Sequence, residues 1–207
     1  IRVLDIGTGA NLIYPILGNS IYDWSFVGSE LNSKAIESAE QILVKNPQFQ
    51  GKIEVRPQPD SSKIFSNIIQ FEEFFDLTLC NPPFHESAQA AQEGSQRKVR
   101  NLTGKPVAKA ALNFGGQAAE LWTEGGELAF IRKMIVESLQ FQNQVFWFTT
   151  LVSKSENLKS IQNQLQKVGV SDQKVIEMAQ GNKKSRLVAW TFLTEKQQVA
   201  WKTYRWK

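Results

Sequence analysis

Asn81-Pro82-Pro83-Phe84 carries the most chemical information in this sequence. Proline fixes φ and has no backbone donor, so two in a row remove two N–H groups. The carbonyls of Asn81 and Pro82 are then left without local partners. Beside them stand a side-chain amide, which both donates and accepts, and the aromatic face of Phe84. Two acceptors and a ring suit a planar group that bears an –NH2, and a nucleobase amine fits. Asn81 Oδ1 and the Pro82 carbonyl would accept its two N–H bonds, localising the lone pair and aiming it. Phe84 would stack on the base, a contact worth ~1–3 kcal/mol. Such a target must be unpaired or flipped out, because its Watson–Crick edge is held. A Pro-rich turn after a strand is the plainer alternative, and a glutamine side-chain amide would satisfy the same acceptors.

The motif follows Phe75–Cys80, an apolar run that reads as a buried strand. Two earlier strand ends carry complementary groups. The first runs into Asp5-Ile6-Gly7-Thr8-Gly9-Ala10-Asn11, where glycines let the backbone turn sharply and approach a ligand. A dinucleotide fingerprint would need a third glycine at position 12, which is Leu12. Asp5 before the glycines also disfavours a pyrophosphate, so a neutral or cationic adenosine-type ligand fits better. Glu30, at the end of a second strand, can accept hydrogen bonds from ribose hydroxyls. Asp60, past the end of a third, would join them. Ligands of open α/β sheets bind outside the carboxyl ends of the strands, so these groups should share one crevice.

The elements that position them alternate. Period and turn signals predict strands over residues 1–6, 24–28, 53–55, 75–80, 127–131 and 144–152, with a terminal hairpin of 174–179 and 186–193. Helices are expected over 12–17, 32–45, 133–139 and 157–168, near 116–122, and as a helical turn over 61–69. This is an α/β chain with a doubly wound, mostly parallel seven-stranded sheet and an antiparallel edge hairpin, Rossmann-like in class. Residues 86–114 are rich in Gln, Ala, Ser, Lys and Asn and read as a long mobile loop that grips substrate.

At 207 residues and 42% hydrophobic, the chain is expected to form one domain, with no metal site and no membrane span. It begins without Met inside a strand-like run, as a fragment lacking an N-terminal extension would. Cys80 alone can form no internal disulfide and reads as a small core residue. His85 could serve as a base, though packing or stacking suits it better. Basic residues are concentrated in two stretches. Residues 94–109 hold Arg97, Lys98, Arg100, Lys105 and Lys109 without an acid. Residues 183–207 hold Lys183, Lys184, Arg186, Lys196, Lys202, Arg205 and Lys207 against Glu195. Against a net charge of +4, these stretches point to a polyanionic partner.

Asp-x-Gly-x-Gly, an acid after the second strand and Asn-Pro-Pro-Phe after the fourth resemble the motif set of S-adenosylmethionine-dependent amino-methyltransferases. Longer runs are narrower: Leu4–Asn11 with Ile13-Tyr14-Pro15, Cys80–His85, Gly125-Gly126-Glu127 and Met134-Ile135-Val136-Glu137-Ser138. Together they resemble the bacterial large-subunit ribosomal RNA adenine-N6 methyltransferase family known as methyltransferase F. The resemblance implies methyl transfer from S-adenosylmethionine to one adenine of 23S ribosomal RNA, free or in an assembly particle, in the cytoplasm. It also implies that Asp5, Gly7, Thr8, Gly9, Asn11, Glu30, Asp60 and Asn81 line the cofactor site. Asn81, Pro82, Pro83 and Phe84 would be catalytic, and Arg97, Lys98, Arg100 and Lys105 would bind RNA. The alternatives are methylation of a protein glutamine or another nucleic-acid adenine, or a non-catalytic RNA- or cofactor-binding module.

Overall fold

The computed structural model describes residues 1–83, 124–180 and 183–206. Seven strands form one sheet: β1 (Arg2–Ile6), β2 (Ser25–Glu30), β3 (Ile53–Pro57), β4 (Phe75–Cys80), β5 (Val145–Val152), β6 (Asp172–Gln180) and β7 (Lys183–Thr191). Their order is β3-β2-β1-β4-β5-β7-β6. The first five are parallel, and β7 runs antiparallel to β5 and β6. The expected sheet class, with its terminal hairpin, is what the chain adopts.

Successive side chains of a strand point to opposite faces, and β1 shows the result. Leu4 and Ile6 enter one core with Ile131, Met134, Ile135, Ile161 and Leu165. Val3 enters another with Leu12, Phe26, Ala39 and Ile53. Helices α1 (Ile13–Tyr22) and α2 (Ser33–Lys45) supply the second core, and α3 (Gly126–Ser138) and α4 (Leu158–Val168) supply the first. Asn32 caps α2 by accepting from the amides of Lys34 and Ala35 at 2.9 and 3.3 Å, as expected of an N-cap asparagine. Trp190, fully buried, stacks on Phe148 at 5.6 Å and donates its indole N–H to Ser138 Oγ. Burial of each such large side chain is worth ~1.5–3 kcal/mol.

One expectation is corrected. Residues 127–131 are the first turns of α3, not a strand. Ile131, Met134, Ile135 and Ser138 are its buried face, at helical spacing. Residues 61–69 form turns, among them the expected helical turn, in which the amides of Ile68 and Ile69 donate to the Phe65 carbonyl at 3.0 Å. Buried Glu137 holds them, accepting from the amides of Ile64, Phe65 and Ser66 at 2.8–3.1 Å. The basic C-terminal stretch contains a further helix, α5 (Glu195–Arg205), opened by a capping box of Thr194 and Gln197. The expected loop 86–114 and helix 116–122 lie outside the described residues.

Between β4 and β5 the backbone ladder pairs Phe75 with Val145 and Leu77 with Trp147. Beyond it, hydroxyls take over. The Thr149 amide donates to Thr78 Oγ1 at 3.0 Å, and Thr149 Oγ1 donates to the Thr78 carbonyl at 2.6 Å. These bonds hold the carboxyl end of β4, from which the Asn-Pro-Pro turn departs.

Candidate active site

Register places the three strand ends side by side. Asp5 of β1 lies opposite Gly28 of β2 and Leu79 of β4, and Ile6 lies opposite Ser29 and Cys80. The glycine turn leaving β1 therefore runs between Glu30 and Asn81. It is pinned from β2: the amides of Gly7 and Thr8 donate to the Ser29 carbonyl at 2.9 and 3.0 Å. The Gly9 amide donates to Glu30 Oε2 at 2.9 Å. Gly7 and Gly9 have φ of +69° and +68°, a region costly to other residues. Nothing stands within 4 Å of where a Cβ would sit on either, so the turn exposes bare backbone. Leu12, buried at the foot of α1, has φ of 50°, an outlier for so bulky a residue. Asn11 beside it is exposed.

Glu30 is only 5% exposed and holds its own loop. Besides Gly9, it accepts from the amides of Leu31 and Asn32 at 2.8 and 3.0 Å, both on Oε1. Asp5 is 1% exposed and accepts from the Thr8 hydroxyl at 2.7 Å. Burial pushes its carboxyl up to about 7; Thr8 opposes the shift and the Glu30 charge adds to it. Asp60 stands three residues past the end of β3. Its carboxyl accepts from the Ser62 amide at 2.8 Å, and Ser62 holds it below the ordinary range. Gln58 links this turn to β2: its amide donates to the Glu30 carbonyl, and its Oε1 accepts from the Asp60 amide.

Asn81 is exposed, Pro82 buried and Pro83 half-buried. Among the described residues, no backbone N–H donates to the carbonyl of Asn81 or Pro82. Phe84, His85, Arg97, Lys98, Arg100 and Lys105 lie outside the described residues. Register and the bonds of the glycine turn thus bring Asp5, Gly7, Thr8, Gly9, Glu30 and Asn81 to the carboxyl ends of three adjacent strands, with Asn11 just beyond the turn. Asp60 is linked to this group through Gln58. Among the described residues, no group of three or more His, Cys, Asp or Glu could hold a metal ion.

An RNA methyltransferase family model matches residues 1–194. The chain belongs to this family. It is 52% identical over 208 residues to ribosomal RNA large subunit methyltransferase F of Pseudomonas aeruginosa strain PAO1, covering 100% of this chain and 62% of that protein. It is 54% identical over 199 residues to the namesake from Flavobacterium psychrophilum, covering 96% and 63%. The chain therefore spans about three-fifths of the length of these curated relatives. Among solved structures it resembles the human METTL16 catalytic domain in complex with MAT2A 3′UTR hairpin 1, with TM-score 0.75 and 27% identity, covering 94% of this chain and 64% of that one. The N-terminal domain of human METTL16 in complex with SAH superposes with TM-score 0.69 at 25% identity, covering 93% and 61%.

Two further residues near these strand ends have surroundings that were not read from the sequence. Tyr14, in the first turn of α1, is half-buried. Burial raises its hydroxyl, and the charges of Asp5 and Cys80 add to the shift, which sets it beside the ends of β1 and β4. Only its place in the Ile13-Tyr14-Pro15 run signalled it. Glu127, 1% exposed, fixes the turn after β5 by accepting from the amides of Ser153 and Lys154 and from Asn157 Nδ2. Gly125-Gly126 before it was visible, but the acid's partners lie 26–30 positions away.

Proposed function

We propose that this domain transfers a methyl group from S-adenosylmethionine to the exocyclic N6 amine of an adenine in large-subunit ribosomal RNA. One observation carries the reading. Asn81-Pro82-Pro83 leaves the end of β4 next to a bare glycine turn and a buried ribose-type acid, in a chain of an RNA methyltransferase family. The relatives named for ribosomal RNA and the RNA-bound human neighbour support the substrate class. The SAH-bound neighbour supports the donor.

The residues fit that donor. Bare backbone at Gly7 and Gly9 gives it room to lie on the turn. A carboxylate has about four acceptor positions. Three of Glu30's are taken by amides, so Oε2 keeps one for a ribose hydroxyl. Asn11 and the Asp60 turn border the same strand ends, with Asp5 among them. When bound, the donor supplies an electrophilic methyl group on a sulfonium.

The chain's own work is positioning. Asn81 Oδ1 and the Pro82 carbonyl accept the two N–H bonds of the adenine amine, and Phe84 stacks on its ring. Alignment of this kind can contribute ~7–11 kcal/mol to a barrier. The methylated amine is acidic enough to release its extra proton to water, so no side-chain base is required. Arg97, Lys98, Arg100 and Lys105 supply charge for RNA phosphates. Among the described residues no helix is long and apolar enough to cross a membrane. Ribosomal RNA as substrate places the reaction in the cytoplasm.

The test uses the full-length protein, S-adenosylmethionine and large-subunit RNA from cells that lack the enzyme. The digested RNA should gain N6-methyladenosine by mass spectrometry. No gain on naked RNA or on precursor particles would refute the proposal.

A further inference from the structure

Helix α5 lies wholly beyond residues 1–194, the span the family model matches. Its inner face is structural. Trp201 packs on Phe74 and Phe146 at 5.8 and 5.7 Å, and its indole N–H reaches Asp76 at 2.6 Å. The surface beside it has a different chemistry. Buried Phe146 lies between the rings of Trp206 and Trp147, with centroids 5.0 and 6.1 Å away, and only the two tryptophans reach the surface. Lys202 Nζ lies 5.8 Å from the Trp206 centroid and 5.9 Å from that of Phe146. Lys174 Nζ lies 5.0 Å from that of Trp147. Both lysines are exposed, Trp147 is half-buried, and Trp206 keeps 40% of its surface in solvent.

A ring attracts a cation through its quadrupole and has no net charge. The lysines therefore keep their full charge and free N–H bonds, as they would not beside a carboxylate. The acid that touches this cluster, Asp76, is 6% exposed. It is taken up by the indoles of Trp201 and Trp206 and the Arg2 amide, with Arg205 at 3.8 Å. Cations beside solvent-facing tryptophans are what single-stranded nucleic acid requires: charge for phosphates and a ring face for a base.

We infer that this surface is a second RNA contact, on which an unpaired base stacks against Trp206 while Lys174 and Lys202 hold the flanking phosphates. It deepens the RNA reading and rests on it for the class of polymer. Asp76 and Asn81 lie five residues apart along β4, about 17 Å at ~3.3 Å per residue. The contact thus engages RNA at the opposite end of the sheet from the adenine.

The test uses the whole chain without cofactor and a short fluorescein-labelled single-stranded RNA, read by anisotropy across a salt series. Lys174→Ala/Lys202→Ala should weaken binding and lower the slope of log K against log salt by about 1.4, at ~0.7 per phosphate contact. Trp206→Ala should bind about tenfold more weakly than Trp206→Phe, the scale of one stacked base, at the same slope. Both Trp206 variants lose the same bond to Asp76, and equal thermal melts of the two show that packing on Phe146 does not account for the difference. Unchanged affinity and slope in the lysine pair would overturn the proposal, as would equal binding by the two Trp206 variants. Binding that behaves as expected in a protein that methylates no RNA would leave this surface standing while the proposed reaction fell.

Discussion

At the amino end of β4, buried Asp76 accepts three hydrogen bonds, from the Arg2 amide and two indoles, at 2.6–2.8 Å. Its neighbour Glu73 is held by Arg56 at 2.7 and 2.9 Å, by the Gln70 amide and by Arg2. Burial works to raise the Glu73 carboxyl, but these partners outweigh it and hold it below its ordinary value. At the carboxyl end, Asp5 is more deeply buried, meets the Thr8 hydroxyl and a second carboxylate, and is pushed up to about 7. Asn81 stands exposed just past the end of the neighbouring strand. One end of the sheet saturates its acids and fixes the fold. The other keeps acceptors in reserve and carries the strained turn, as sites that must receive a ligand do.

The contrast can be broken by substitution. The largest effect should come from Asp76→Ala. It leaves the Arg2 amide and two indole N–H groups without their acceptor, and about 4 kcal/mol of stability should be lost at ~1–3 kcal/mol for each donor left buried and unpaired. Urea denaturation would measure it, and the folded protein should keep its affinity for S-adenosylmethionine. A loss too small to resolve would mean that the amino end is not the clamp described.

Gly28→Ala probes the other end. A methyl there would stand 2.8 Å from the Thr8 side chain, which must leave Asp5 to make room. Overpacking of this kind typically costs ~1–3 kcal/mol. Here calorimetry should also show weakened donor binding, since the turn moves with Thr8. Stability lost with donor affinity unchanged would separate Thr8 from the site.

The smallest effect per step is in pH. A carboxyl raised above its unfolded value of 3.8 binds its proton more tightly when folded. Its contribution to stability is full below about pH 3.8 and is lost as pH rises through about 7, by at most ~1.4 kcal/mol per pH unit. Asp5→Asn should flatten that part of the stability–pH curve, as read by thermal melts. An unchanged slope would show that Asp5 does not titrate in this window.

The fold was largely legible because its strands and α2 carry strong local signals. Asn32 before a helical apolar face, and Asn46-Pro47 after it, fixed α2 almost to the residue. What was missed depends on distant partners. Residues 127–131 read as a strand because a short apolar run after two glycines has no period of its own. Their helix emerges only when Ile131 and Met134 meet the sheet. The basic tail concealed α5, whose anchoring Trp201 finds Asp76 at a separation of 125 positions. At the carboxyl ends of the strands, residue types singled out Gly7, Gly9, Glu30 and Asn81, which the register sets close together. The state of Asp5 and the closeness of Tyr14 arise from burial, which no motif records.

The most direct test of the account is Asn81→Ala, measured two ways on one preparation: equilibrium binding of S-adenosylmethionine and single-turnover methylation of large-subunit RNA. Loss of a preorganised hydrogen-bonding group at a reacting centre lowers turnover by ~10²–10³-fold. The account predicts at least a fall of that order, with donor affinity only modestly reduced. Turnover retained near the wild-type rate would contradict it, because Asn81 would then not be holding the amine.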